Sequence, residues 1–141
     1  MVDASFIHRW FDEVWNARRE DAVDEMFAAD GIAHGLSDPD GNAIRGPEDF
    51  KKVHSAFLSA YPDLKILVED TVVEGDKIAA RCRVTGVHQG HGVGVAPTNQ
   101  PVEFTGMVMV RVQDGKIVEA WNEFDFMGMY RQLGALTLNL Q

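Results

Sequence analysis

The segment Asp114–Asp125, DGKIVEAWNEFD, constrains this chain most. It opens on Asp-Gly between two apolar runs, a strong short-range hairpin signal because glycine accepts positive φ without steric cost. A strand follows the turn. Alternation along it places Ile117, Glu119, Trp121, Glu123 and Asp125 on one face, and Val118, Ala120, Asn122 and Phe124 on the other. The first face joins a large aromatic to carboxylates; the second is apolar. A carboxylate beside Trp121 and just ahead of Phe126 and Met127 is a candidate for burial. Burial disfavours its charged form and raises its pKa toward the range of a useful base. Asp125 is the leading acid/base candidate on this reasoning. The alternative is an exposed strand-end carboxylate that caps the next helix.

The chain upstream supplies helices first and strands second. From Ala4 to Asn16, Phe6, Trp10 and Val14 repeat at i+4 beside Ile7, Phe11 and Trp15, the pattern of an amphipathic helix. A shorter helix is predicted over Glu20–Phe27 and a short strand over Ile32–His34. Ser37–Asn42 is dense in turn formers and reads as a loop. Gly46-Pro47-Glu48-Asp49 opens a third helix that Pro62 ends. Strand alternation then runs from Leu64 to Val73 and from Lys77 to His88, with Arg81 and Arg83 opposite the apolar side of the latter. Val102–Gln113 is apolar on both faces near Val108 and Met109, so it reads as a central strand buried on both sides. A last helical turn or two is predicted over Phe126–Leu133, and Leu136–Gln141 forms a tail. Helices followed by a meander of long strands indicate an α+β fold.

With 141 residues, 45% hydrophobic and 25% charged, the chain suits one domain over residues 1–141. A formal charge of −9 argues against nucleic acid and anionic membrane as partners, since phosphate binding needs clustered Lys and Arg. The lone cysteine, Cys82, excludes an intrachain disulfide and points to reducing cytoplasm. No signal peptide or bilayer-spanning apolar run is evident. His34, His88, His91 and Asp125 match no metal-ligand spacing, so no metal is expected.

An ordered set of phrases carries a resemblance. They are Glu13-Val14-Trp15-Asn16, His34-Gly35, Gly46-Pro47-Glu48-Asp49-Phe50, Tyr61-Pro62-Asp63-Leu64, Glu74-Gly75-Asp76-Lys77, Thr85-Gly86-Val87-His88, Pro97-Thr98, and Asp114–Glu119 with Trp121 and Asp125. Over about residues 5–135 the chain resembles the SnoaL-like polyketide cyclases, or ester cyclases, of the NTF2-like superfamily. The resemblance implies a cystatin-like cone, with N-terminal helices packed on a strongly curved antiparallel sheet, and association through the sheet into homodimers or homotetramers. It implies intramolecular aldol ring closure with no cofactor, an aspartate on the last strand as acid/base, matched by Asp125, and a pocket histidine matched by His34. Some members carry a further pocket histidine on the strand before the Asp-Gly turn, where this sequence has Arg111 or a methionine.

An aldol closure removes a proton from carbon between two carbonyls, which a carboxylate of raised pKa achieves without a metal. His34 and His88 are expected to orient substrate carbonyls. Trp15, Phe57, Tyr61, Met107, Met109, Arg111, Trp121, Glu123 and Phe126 are expected to line the substrate pocket. The substrate expected is a small apolar or aromatic carbonyl compound. The rival readings are a hydrolase or hydratase with Asp125-activated water, and a binding module without catalysis.

Overall fold

The computed structural model describes residues 2–136, so residues 137–141 of the expected tail lie outside it. Helix α1 (Ser5–Arg9) runs without a break into a π-helical segment, Trp10–Asn16. The wider i→i+5 bonding, seen where Ala17 N–H donates to Asp12 O at 2.7 Å, spreads Trp10, Phe11, Val14 and Trp15 over one broad inward face. Asn16 ends this segment by pairing with an exposed strand edge. Its Nδ2 donates to Ile66 O and its Oδ1 accepts from Ile66 N–H, each at 2.8 Å. Helix α2 (Asp21–Met26) leads directly into β1 (Phe27–Ser37), which is far longer than the three residues expected. After β2 (Ala43–Arg45), α3 (Gly46–Ala60) starts at Gly46, whose φ of +79° and distance of 2.7 Å from a would-be Cβ to Ala29 O demand glycine. Asp49 Oδ2 accepts from Arg45 N–H at 3.0 Å and satisfies one donor at that helix end.

Strands β3 (Lys65–Glu74), β4 (Lys77–Val87), β5 (Pro101–Gln113) and β6 (Lys116–Phe124) complete the sheet, and α4 (Phe126–Gln132) closes the described chain. The turn between β5 and β6 has φ of +53° at Asp114 and +76° at Gly115, both positive as a two-residue hairpin requires. The sheet order is β2-β1-β6-β5-β4-β3. Here the expected architecture is corrected. The sheet is mixed, because β1 lies parallel to β6 with Ala33 opposite Ala120 and His34 opposite Trp121. It is also open: β2 and β3 stand at opposite edges and no ladder joins them, so it does not curl into a cone. The α+β class stands; the purely antiparallel, strongly curved, cone-shaped sheet does not. Alternation identifies a strand but not its neighbour or its direction, and β1 meets β6 only after the whole β2–β5 excursion.

Helices cover one face of this sheet. Ile7, Val14, Val23, Met26, Tyr61, Ile78, Cys82 and Ile117 are buried there. Phe50 is the hub, with its ring 5.2 Å from Trp10, 5.4 Å from Phe27 and 6.0 Å from Trp15. Each such pair contributes about 0.5–1.5 kcal/mol beyond area burial. The other sheet face carries charge and methionine. Strand β5 lies between β4 and β6, yet it is buried on one face only, with Met107 51% and Met109 38% exposed.

Candidate functional site

Between the sheet and the helices lies a narrow cavity of about 60 Å³. Aromatic walls come from Trp10 and Trp15 of the π-helical segment, Phe50 and Phe57 of α3, and Phe104, Phe124 and Phe126 from the sheet and α4. Val108, Val110, Ile117 and Ala120 form its floor. Among the described residues that line it, Asn122 alone is polar and none is ionisable. The cavity continues into a wider cleft of about 710 Å³, sharing Leu36, Val53, Phe57 and Phe126 with it. Asp38, Gly92-Val93-Gly94 and Tyr130 border this mouth, and the Tyr130 hydroxyl donates to Val93 O at 2.8 Å. Asp38 accepts from Asn42 N–H at 2.8 Å and Asp40 N–H at 2.9 Å. These bonds, the Asn42 backbone bond first, hold its carboxyl below the usual range.

Which side of β6 faces this chamber is decided by a bulge. The β5–β6 register runs Val110↔Ala120 and Arg111↔Glu119, then shifts to Val112↔Ile117, leaving Val118 unpaired. Ile117 therefore points inward, and so do Ala120, Asn122 and Phe124 after it. The residues expected inside fall on the opposite face. Trp121 sits opposite Met109, and Glu123 opposite Met107. Arg111 Nη2 donates to Glu119 Oε1 at 2.7 Å, and His34 Nε2 donates to Glu119 Oε2 at 2.7 Å. The His34 bond first, and Arg111 second, lower the Glu119 pKa, which keeps it ionised. The His34 and Trp121 rings stack with centroids 5.7 Å apart. Thus His34, Arg111, Met109 and Trp121 do meet, but on the outer face of the sheet.

Asp125 is exposed, at the start of α4. Its Oδ1 accepts from Gly128 N–H at 2.8 Å, the geometry of a helix N-cap. It borders a shallow outer groove with Arg81, Thr105, Met107 and Glu123, and it does not line the apolar chamber. His88 is fully buried at the root of the loop that follows β4. Its Nδ1 accepts from Thr98 N–H at 3.1 Å, so its hydrogen lies on Nε2, which is buried without a partner among the described residues. Burial above all, with His91 second, lowers the His88 pKa. Tyr61 packs against it at 5.4 Å between centroids. Its hydroxyl is also buried and has no partner among the described residues, and burial pushes its pKa up to about 12. Asp125, His34 and His88 therefore occupy three separate places.

Of the lining residues expected, Trp15, Phe57 and Phe126 reach the chamber; Tyr61 is plain core, and Met107, Met109, Arg111, Trp121 and Glu123 belong to the outer face. Asn122 is the residue the alternation argument passed over. Its signal was present: a lone amide on the strand face otherwise made of Val118, Ala120 and Phe124. Among the described residues no group of three or more His, Cys, Asp or Glu lies together as metal ligands, and no helix is long and apolar enough to cross a membrane.

Residues 6–133 match the SnoaL-like polyketide cyclase family. The chain belongs to that family. It is 28% identical over 123 residues to the aklanonic acid methyl ester cyclase DnrD of Streptomyces peucetius, covering 86% of this chain and 84% of the relative. It is 29% identical over 126 residues to the nogalonic acid methyl ester cyclase of Streptomyces nogalater, covering 85% of this chain and 89% of the relative. Among solved structures, IdmH of Streptomyces antibioticus, described as a proposed polyketide cyclase, superposes with a TM-score of 0.79 at 33% identity over 93% of this chain and 97% of its own. AclR of Streptomyces galilaeus, described as a proposed hydroxylase, gives 0.79 at 28% identity over 97% of this chain and 87% of its own. Membership in this SnoaL-like family supports enzymatic activity of the general cyclase or isomerase class. The fold by itself does not select one reaction.

Proposed function

We propose that this chain is a cofactor-independent enzyme of the cyclase or isomerase type, acting on a flat, largely apolar carbonyl compound that enters through the mouth and lies in the chamber. The observation that carries this reading is the chamber itself: aromatic walls, one amide, and a cleft leading in. Apolar walls with few polar groups are the usual make-up of a small-molecule site. In an aldol closure the activated carbon loses a proton, its electron pair forms the new C–C bond, and the resulting alkoxide takes a proton up. The chamber contributes orientation and exclusion of water, which can supply several kcal/mol of the barrier. No ionisable side chain among the described residues lines it, so the proton passes through water at the mouth. In the rival form of this reading, Asp125 carries the proton, as the family resemblance suggests.

The test is incubation with a polyketide-type 1,3-dicarbonyl that bears a ring-closing ketone. A ring-closed isomer of unchanged mass supports the proposal. The same absence of an ionisable group favours a second reading, binding without turnover, and substrate recovered unchanged while stabilising the protein would select it. A second copy is proposed to pack on the outer sheet face, where Leu67, Val72, Met107 and Met109 are exposed. Light scattering on the double variant Met107→Glu, Met109→Glu tests that packing, with loss of the oligomer expected and an unchanged mass against it.

A further inference from the structure

We infer that the chamber selects a ligand presenting a hydrogen-bond donor, an enol or phenol hydroxyl on a planar apolar skeleton, and that Asn122 is the residue that reads it. The inference rests on the proposal that the ligand lies in the chamber, and it adds which polar group that ligand must carry.

The orientation of the Asn122 carboxamide is set by its neighbour. Nδ2 donates to the backbone carbonyl of His34 at 2.9 Å. A carbonyl oxygen only accepts, so the amide cannot turn over without bringing two acceptors together. The carbonyl is itself held in place. His34 pairs with Trp121 in the parallel β1–β6 ladder, and the next residue, Gly35, has φ of +81° with a would-be Cβ 1.9 Å from Asn122 O. No side chain fits there, so the two strands cross at close range and the amide has a rigid support. With one N–H committed, the free capacity of the group is two lone pairs on Oδ1 against one hydrogen, and Oδ1 has no partner among the described residues. Among the described residues the other lining side chains offer a ligand O–H no competing side-chain acceptor, since the Trp10 and Trp15 indoles are donors only. A hydroxyl that reaches Oδ1 gains a hydrogen bond beside apolar walls, at a half-buried amide, whereas an ether oxygen there faces a like dipole.

The experiment is calorimetric titration of the protein with 2-naphthol and with 2-methoxynaphthalene, which share a skeleton and differ in the donor. The wild-type protein is expected to bind the naphthol up to about tenfold more tightly, as one added hydrogen bond implies. In Asn122→Val the ratio is expected to fall to about one, with the ether bound at least as well as before; Asn122→Ala serves if the valine variant does not fold. Equal affinities in the wild type overturn the inference, as does a preference that persists in either variant. A filled chamber, Ala120→Trp, separates the two layers of the argument. If naphthol still binds that variant, or neither compound binds the wild type, the placement of the ligand in the chamber fails and the inference falls with it.

Discussion

Replacing Asp125 separates a structural carboxylate from a catalytic one. Its Oδ1 satisfies Gly128 N–H at 2.8 Å, and the helix it starts carries Phe126 onto the chamber wall and buries Met129. Loss of an N-cap side chain costs about 1 kcal/mol, within a range of roughly 0.5–2. For a chain of this length that lowers Tm by about 3 °C. Asparagine caps nearly as well as aspartate, so Asp125→Asn is expected to stay within a few tenths of a kcal/mol of wild type while Asp125→Ala loses about 1 kcal/mol. Urea unfolding of both variants measures this directly. Turnover of the ring-closing substrate is expected to change by less than about threefold in Asp125→Asn, because the carboxylate opens onto the outer groove. A general acid or base contributes about 10²–10⁴ in rate. A fully folded Asp125→Asn protein whose turnover drops a hundredfold would refute the reasoning and return the proton to Asp125.

Burial lowers the pKa of both His54 and His88 below 6.5, so the unfolded chain binds more protons as pH falls. Stability is expected to be full above about pH 6.5 and to decline below it, with a smaller decline in His88→Gln, as read from urea midpoints between pH 8 and pH 5. Burial, with Glu69 second, pushes the Cys82 thiol up to about 12. Native protein at pH 8 is therefore expected to resist a thiol-reactive dye that labels it at once in denaturant. At Gly106 a Cβ would lie 2.2 Å from the Phe124 ring, so Gly106→Ala must displace a chamber wall; a loss of about 1–3 kcal/mol and weaker ligand binding are expected by thermal melt and calorimetry.

The aromatic stripe from Phe6 to Trp15 was legible in the sequence because burial imposes a period, and its members Trp10, Phe11 and Trp15 do line the chamber. The Asp114-Gly115 turn was legible because both positions need positive φ. The facing of β6 was not. A single unpaired residue, Val118, reverses the parity of everything after it, and no residue type announces such a bulge. That one slip puts Ile117 on the same side as Ala120, Asn122 and Phe124, so the apolar face is the inner one and Trp121 and Glu123 lie outside. The parallel β1–β6 pairing was hidden for a related reason: contacts between strands about 90 residues apart leave no local pattern. Family membership was legible from the order of short phrases, whereas the expected site residues were carried along a strand whose facing those phrases do not record.

The three tryptophans divide between the two sides of the sheet, Trp10 and Trp15 in the chamber and Trp121 outside it. Indole N–H resonances followed during a titration with 2-naphthol therefore report which side a planar ligand occupies. Large shifts at Trp10 and Trp15 with Trp121 unmoved are the result expected here. Shifts confined to Trp121 would place the ligand on the outer face, beside His34 and Arg111, and would contradict the central claim.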